Sequence, residues 1–173
     1  MSCIVELNSV AALVEKETER DLDLSIQLRL NGIVYRLLDS PGDSSAFSEA
    51  LRVGALLWIV LIKRRFRSYP GTSTLYAMKL LNLLHGSESS ASGTYQSSAS
   101  NTYRIWLLVL CGISCGSSER KVAVQMIVSE MKRLNLGWSE TMTRARQMPW
   151  VSIFEVPCTK LGFVVRTFNS GET

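Results

Sequence analysis

The sequence predicts an all-α protein, a helical array of about six helices in two halves. Apolar residues recur every three or four positions along most of the chain, which places them on one side of a helix. Ser, Gly and Pro interrupt this pattern where helices are expected to begin or end. A Ser-rich segment, residues 86–102, separates the two halves.

The first half begins with a regular apolar stripe. Its members are spaced as on one face of a helix: Leu22, Ile26, Leu30, Ile33 and Leu37. Residues 39–43, which include Pro and Gly, are expected to end this helix. Ser44 or Ser45 can cap the next helix. That helix is apolar on all sides over residues 53–62, so we expect it to be central and surrounded.

A third helix is predicted after residues 70–71, with Thr72 or Ser73 as its cap. It contains Leu80 and Leu84, and Gly86 is expected to end it. Residues 86–102 are Ser-rich and nearly uncharged, which predicts a flexible surface loop.

The second half repeats the pattern. Residues 105–115 predict a buried apolar helix that Gly116 ends, and Ser117 or Ser118 is expected to cap the next one. The buried stripe of that next helix is Ala123, Ile127, Met131 and Leu134. Gly137 is expected to close it, and Ser139 to open a short last helix.

The C-terminal segment, residues 157–173, is the least regular part of the sequence. It is rich in β-branched and aromatic residues around residues 161–168, but no pairing partner for a strand is evident. We therefore expect an irregular tail. The domain prediction is a single helical domain over residues 1–173.

Composition limits the classes of protein. The chain has 173 residues, 46% of them hydrophobic and 20% charged, which is typical of one globular domain and too apolar for a disordered chain. The net charge of +4 is lower than expected for a protein whose whole surface binds nucleic acid. The longest apolar runs are shorter than a bilayer requires, so no membrane span is expected. No secretory signal is evident, so we expect reduced cysteines.

The sequence offers no catalytic, cofactor-binding or metal-binding set of residues. Cys111 and Cys115 share a helix face but lie in an apolar run, which favours burial over metal binding. His85 is the only histidine and is expected at a helix end. The glycines do not form a phosphate-binding loop. We therefore expect no enzymatic activity and no cofactor.

The most pointed polar motif is Lys63, Arg64, Arg65 and Arg67, which surround a phenylalanine. Such a cluster can act in nuclear import or contact phosphates. Cations at a helix C-terminus also stabilise the helix dipole, and the sequence leaves these alternatives open.

The order of motifs over residues 45–155 resembles the fungal-specific transcription factor domain. In the second half an apolar Trp-bearing helix precedes a polar Glu-Arg turn, an amphipathic helix, a Trp that begins a short helix and a late Trp. The matching residues are Trp106, Gly112, Glu119, Arg120, Leu134, Trp138 and Trp150. In the first half the similar residues are Glu49, Ala50, Arg52, Ala55, Leu56 and Leu57.

The resemblance implies a helical regulatory region that acts through protein contacts in the nucleus. In that family the region usually follows a binuclear zinc cluster. The six closely spaced cysteines of that cluster are absent from these residues, so no direct DNA binding is expected from this chain alone. The alternative is a small stand-alone helical adaptor or effector with no transcriptional role, which would be cytoplasmic.

Overall fold

The computed structural model describes residues 2–17, 22–39, 45–66, 73–89 and 98–170. Within these ranges it contains eight α-helices and one 3₁₀ helix, and no strand. The helices are α1 (Ser2–Val14), α2 (Leu24–Asp39), α3 (Ala46–Arg65), α4 (Ser73–Ser89), α5 (Ser98–Ser114), α6 (Ser117–Leu134), α7 (Trp138–Ala145) and α8 (Glu155–Ser170), with the 3₁₀ helix at Ser152–Phe154. The all-α prediction is confirmed. The predicted count of about six omitted α1 and α8.

Helices α3 and α5 form the centre of the core. Ser45 caps α3 by accepting a hydrogen bond from the Ser48 N–H, as the sequence predicted. Residues 53–60 of α3 and residues 105–112 of α5 are all buried, which confirms the predicted central position of α3 and the predicted burial of α5. A Cβ atom on Gly54 would lie 2.0 Å from Leu107 Cδ2, so a glycine is needed where these two helices approach.

Helices α1 and α2 pack beside α3. The predicted stripe of α2 is buried in full, from Leu22 just before the helix to Leu37. Helix α1 buries Leu7, Val10 and Val14 in the same core. The sequence prediction began the first half at Leu22 and therefore did not include α1.

The predicted Ser-rich loop is too long at both ends. Helix α4 continues through Gly86 to Ser89, and α5 begins at Ser98, so only residues 90–97 of the predicted loop lie outside the described residues. A Cβ atom built on Gly86 would have no other atom within 4 Å, so no close contact requires a glycine there. A glycine can remain helical at a modest cost in free energy. Arg104 of α5 donates to the Leu84 carbonyl of α4 at 3.1 Å. This contact joins the end of α4 to the start of α5 and stabilises helix beyond the apolar residues of each.

The turns around α6 differ from the predicted ones by one or two residues. Gly116, rather than Ser117 or Ser118, is the N-cap of α6. Asn135 ends α6 in the left-handed conformation with φ of 52°, and the Leu136 N–H donates to the Met131 carbonyl at 2.9 Å. Gly137 is the N-cap of α7 and does not close α6, and its N–H donates to the Glu140 carboxylate at 2.7 Å.

The predicted irregular tail is wrong, because residues 155–170 form α8. Cys158, Leu161, Gly162 and Val165 are buried with helical spacing, and this packing outweighs the local β propensity of the segment. Pro157 lies in the first turn, where its missing N–H has no partner within the helix. Gly162 allows Trp138 of α7 to pack closely, since an added Cβ would lie 2.3 Å from the indole nitrogen.

Candidate functional site

The predicted basic cluster is divided between two contacts. Lys63 donates to the Asn31 side chain of α2, and burial lowers the pKa of Lys63. Arg64 donates to Ser73 Oγ of α4 at 3.4 Å. Arg65 is exposed, and Arg67 lies outside the described residues. At this end of α3 the first two cations therefore link the helix to its neighbours, and all three described cations complement its dipole.

The two cysteines that share a helix face lie in the core. Cys111 and Cys115 are both buried, which confirms the predicted burial. Burial raises the pKa of Cys111 well above its usual value, and that of Cys115 to about 11. Cys158 of α8 is also buried, and its pKa rises to about 12 for the same reason. These environments favour the uncharged thiol.

Across the described part of the chain, no group of three or more His, Cys, Asp or Glu side chains is arranged to hold a metal ion. The single histidine, His85, is exposed on α4 and does not end that helix as predicted.

Two residues of the family resemblance, Trp106 and Trp150, lie on either side of one backbone contact. The indole N–H groups of Trp58 and Trp106 both donate to the Pro149 carbonyl, at 3.0 and 3.2 Å. Trp150 follows directly, donates to Glu155 at 2.9 Å and packs edge-on against Phe154 at 5.5 Å. One carbonyl thus joins α3, α5 and the segment before α8. Sequence spacing could not reveal this contact, because its members are far apart in the chain.

A second set of matching residues links the outer edges of α2, α3 and α4. Arg52 donates two hydrogen bonds to Glu49, at 2.6 and 2.8 Å, and a third to the Leu37 carbonyl at 3.1 Å. Lys79 of α4 lies 2.7 Å from Glu49. The hydrogen bonds from Arg52 and Lys79 lower the pKa of Glu49 to about 2. Glu49 and Arg52 therefore have a packing role.

The strongest candidate for a binding site lies where α5, α6 and α8 meet. A cavity of about 200 Å³ opens there, and its lining combines apolar groups with two cations. The lining residues are Gly112, Ile113, Arg120, Val156, Pro157, Lys160 and Leu161. We call this space the Arg120 cavity.

Arg120 is only partly satisfied in this cavity. It is half-buried, and one terminal nitrogen donates to the Cys115 carbonyl at 2.8 Å. Its Nε atom is buried and has no hydrogen-bond partner among the described residues. Buried polar groups are normally paired, so this donor is suited to an acceptor supplied by a ligand. Lys160 of α8 is exposed at the cavity and adds a second positive charge.

The sequence interpretation missed the Arg120 cavity. In the sequence Arg120 belongs to the Glu-Arg turn, and Lys160 falls within the predicted irregular tail. The helical spacing of Cys158, Leu161 and Val165 was the signal that could have placed Lys160 on a helix.

Two other cavities are weaker candidates for a binding site. The one between α1 and α2 measures about 550 Å³ and is widely open, and its Arg36 is already paired with Glu6. The one between α3, α4 and α5 measures about 170 Å³, and its Arg104 is engaged with Glu130 and the Leu84 carbonyl.

Comparisons with protein-family models, with curated proteins and with solved structures find no match to this chain. The family resemblance therefore rests on the quoted motifs alone. Among the described helices, none has the length and hydropathy needed to cross a membrane.

Proposed function

We propose that this chain is a non-enzymatic regulatory domain, of the kind that the fungal-specific transcription factor domain represents, and that it acts through protein contacts in the nucleus. The observation that carries the proposal is the ordered set of matching residues together with their packing. Trp106 and Trp150 belong to motifs at opposite ends of the second half, yet Trp106 donates to the carbonyl of the residue before Trp150. This supports reading the matched motifs as parts of one helical unit.

Protein contact is also favoured by the surface. Several large apolar side chains are exposed on α2 and on α8, among them Leu24 and Tyr35 on α2 and Phe163 on α8. Clustered exposed apolar groups are typical of surfaces that bind other proteins.

A reporter assay tests the regulatory role. The chain is fused to a heterologous DNA-binding domain in fungal cells, and transcription of a reporter is compared with that given by the DNA-binding domain alone. We expect a change in transcription in either direction. A folded, nuclear fusion that leaves the reporter unchanged would contradict the proposal.

The matched control for this assay is the fusion with Trp106→Ala, which should strongly destabilise the domain and reduce the effect. A reporter effect that persists in an unfolded variant would indicate an activity unrelated to this fold. Circular dichroism of the purified variants establishes which of them are folded.

Imaging separates the regulatory role from the stand-alone adaptor or effector. The tagged chain without a DNA-binding domain should accumulate in the nucleus. Replacing Lys63, Arg64, Arg65 and Arg67 with alanine tests whether the basic cluster directs import. Steady exclusion of the unmodified chain from the nucleus would favour the adaptor or effector.

A further inference from the structure

Helix α8 has an apolar outer face in addition to its buried one. On a helix of 3.6 residues per turn, Val156, Lys160, Phe163, Val164 and Phe168 fall within an arc of about 140°. The four apolar members of this arc are 36–68% exposed. We call these five residues the outer arc of α8. The buried residues Cys158, Gly162 and Val165 lie on the opposite side. A helix that is apolar on both sides is unusual at a surface in contact only with water.

The lining of the cavity beside the outer arc carries positive charge. Arg120 and Lys160 line the cavity beside it, and that lining contains no carboxylate. The acid at the start of α8, Glu155, is held by Arg146 at 2.7 and 3.0 Å and by Trp150. Glu119, next to Arg120, is engaged with the backbone and Ser118 at the start of α6. Both nearby carboxylates thus have hydrogen-bond partners, whereas Arg120 Nε has none within the part of the chain that the structure describes.

We propose that the outer arc of α8 and the Arg120 cavity form the docking surface for an acidic, apolar peptide segment of a partner protein. A carboxylate of the segment lies between Arg120 and Lys160, and its apolar side chains cover Val156, Phe163 and Val164. This inference rests on the proposed function, because it names the partner chemistry for a domain that acts through protein contacts.

The dimensions of the surface favour a peptide over a small anion. The cavity of about 200 Å³ accepts a carboxylate with a few carbons. The outer arc then continues beyond the cavity, and its length from Val156 to Phe168 is about 18 Å at 1.5 Å per residue. Only an occupant that carries apolar groups over this distance covers the exposed side chains.

Charge disfavours a second copy of the chain as the occupant. In a two-fold symmetric dimer the same surface meets itself. Arg120 and Lys160 would then approach their own counterparts, and like charges across an interface reduce its stability. An acidic partner gives both cations an opposite charge and supplies an acceptor for Arg120 Nε.

The test uses the purified full chain and a fluorescent synthetic peptide in which Glu and Asp alternate with Phe and Leu. Binding is measured by fluorescence anisotropy, and the contacted residues by amide chemical shifts in nuclear magnetic resonance spectra. We expect binding, with shifts concentrated on α8 and around Arg120. A peptide with Gln and Asn in place of the acids should bind at least about tenfold more weakly.

Three variants locate the contact. Lys160→Glu and Arg120→Gln should each weaken binding about tenfold or more. The matched control, Lys132→Glu, changes an exposed lysine of α6 outside the cavity lining and should leave the affinity unchanged. Because Arg120 also bonds the Cys115 carbonyl, Lys160→Glu decides the outcome if Arg120→Gln fails to fold.

Several results would overturn the docking surface: no binding of the acidic peptide, shifts confined to other helices, or equal effects of Lys160→Glu and Lys132→Glu. Shifts at Arg120 with inorganic phosphate but none with the peptide would show that the occupant is a small anion. A dimer of the chain alone that Phe163→Ser dissociates would show that a second copy covers the face. Peptide binding without a reporter effect would contradict the transcriptional role only, whereas a reporter effect without binding would contradict the docking surface only.

Discussion

Helices α5 and α8 are similar in length, with 17 and 16 residues, yet they lie in different environments. Helix α5 is contacted by α3, α4, α6, α7 and α8, and its residues 105–112 are all buried. Helix α8 is contacted by α5, α6, α7 and the 3₁₀ helix, and it leaves Val156 and Phe163 about two-thirds exposed. The neighbours of α5 bury its apolar run, whereas α8 keeps one apolar face that none of the described helices covers. Such a face is available to a partner.

The largest expected effect is at the centre of α5. Trp106→Ala removes a fully buried indole, so we expect the free energy of unfolding to fall by about 3–5 kcal/mol. Urea titration followed by circular dichroism measures this change. Trp106→Phe is the matched control and should cost less, because it keeps most of the volume and Trp58 still donates to the Pro149 carbonyl. A loss below about 1 kcal/mol for Trp106→Ala would mean that α5 is not the centre of the core.

The buried face of α8 should be sensitive as well. In Gly162→Ala the new Cβ would lie within 3.0 Å of three atoms of the Trp138 indole, which cannot bend out of the way as an aliphatic chain can. We expect a loss of about 1–3 kcal/mol in the free energy of unfolding. Thermal or urea denaturation of the purified variant measures it.

Gly32→Ala in α2 is the matched control for Gly162→Ala. Its Cβ would meet only Arg36, at an ordinary contact distance of 3.6 Å. Alanine is also the better helix former, so this variant should gain about 0.5–1 kcal/mol. A loss of stability in both variants would indicate a general effect of helix glycines and would argue against the close contact between α7 and α8.

Helices α5 and α2 show what could be predicted from the sequence. The burial of α5 followed from a long apolar run, and the stripe of α2 followed from its spacing, because both signals are local. The start of α5 at Ser98 and the continuation of α4 to Ser89 depend on contacts such as that between Arg104 and the Leu84 carbonyl. Local composition does not indicate such contacts, so the sequence predicts a loop over the whole of residues 86–102.

The candidate site was harder to predict than the fold. Helix α8 is specified by packing against Trp138 and by the buried positions of Leu161 and Val165, whereas its local propensities favour a strand. The Arg120 cavity joins residues of three helices, and no spacing within one segment indicates it. In the basic cluster that the sequence did indicate, two side chains already donate hydrogen bonds within the protein. Lys63 donates to Asn31, and Arg64 donates to Ser73.

Acidic side chains on the central helix α3 and on the outer helix α8 also differ in their partners. Glu49 on α3 is held by Arg52 and Lys79, whereas Glu155 on α8 is held by Arg146 and one indole. The pKa of Glu49 is lowered to about 2 from its usual 4.5, so its ionised form stabilises the fold above about pH 4.5. This contribution is lost as the pH falls towards 2.

Glu49→Gln should therefore lower the free energy of unfolding by about 1 kcal/mol at neutral pH, since solvent screens part of the interaction. The difference from the unmodified protein should shrink below pH 4.5, the usual pKa of this group, when urea titrations are repeated in acid. Glu155→Gln is the control and should have a smaller effect, because Glu155 is more exposed. A difference for Glu49→Gln that is independent of pH would show that its charge does not contribute.

The smallest expected effect is on the outer arc of α8. Phe163 is 68% exposed, so Phe163→Ser removes few contacts within the chain. We expect the free energy of unfolding to change by no more than about 0.5 kcal/mol, in contrast to Trp106→Ala. If Phe163→Ser instead costs as much as a core substitution, the outer arc contributes to the fold and is not free for a partner. If the cost is small, the fold does not require a large aromatic residue at this position. An exposed aromatic residue that the fold does not require is expected on a surface that binds a partner.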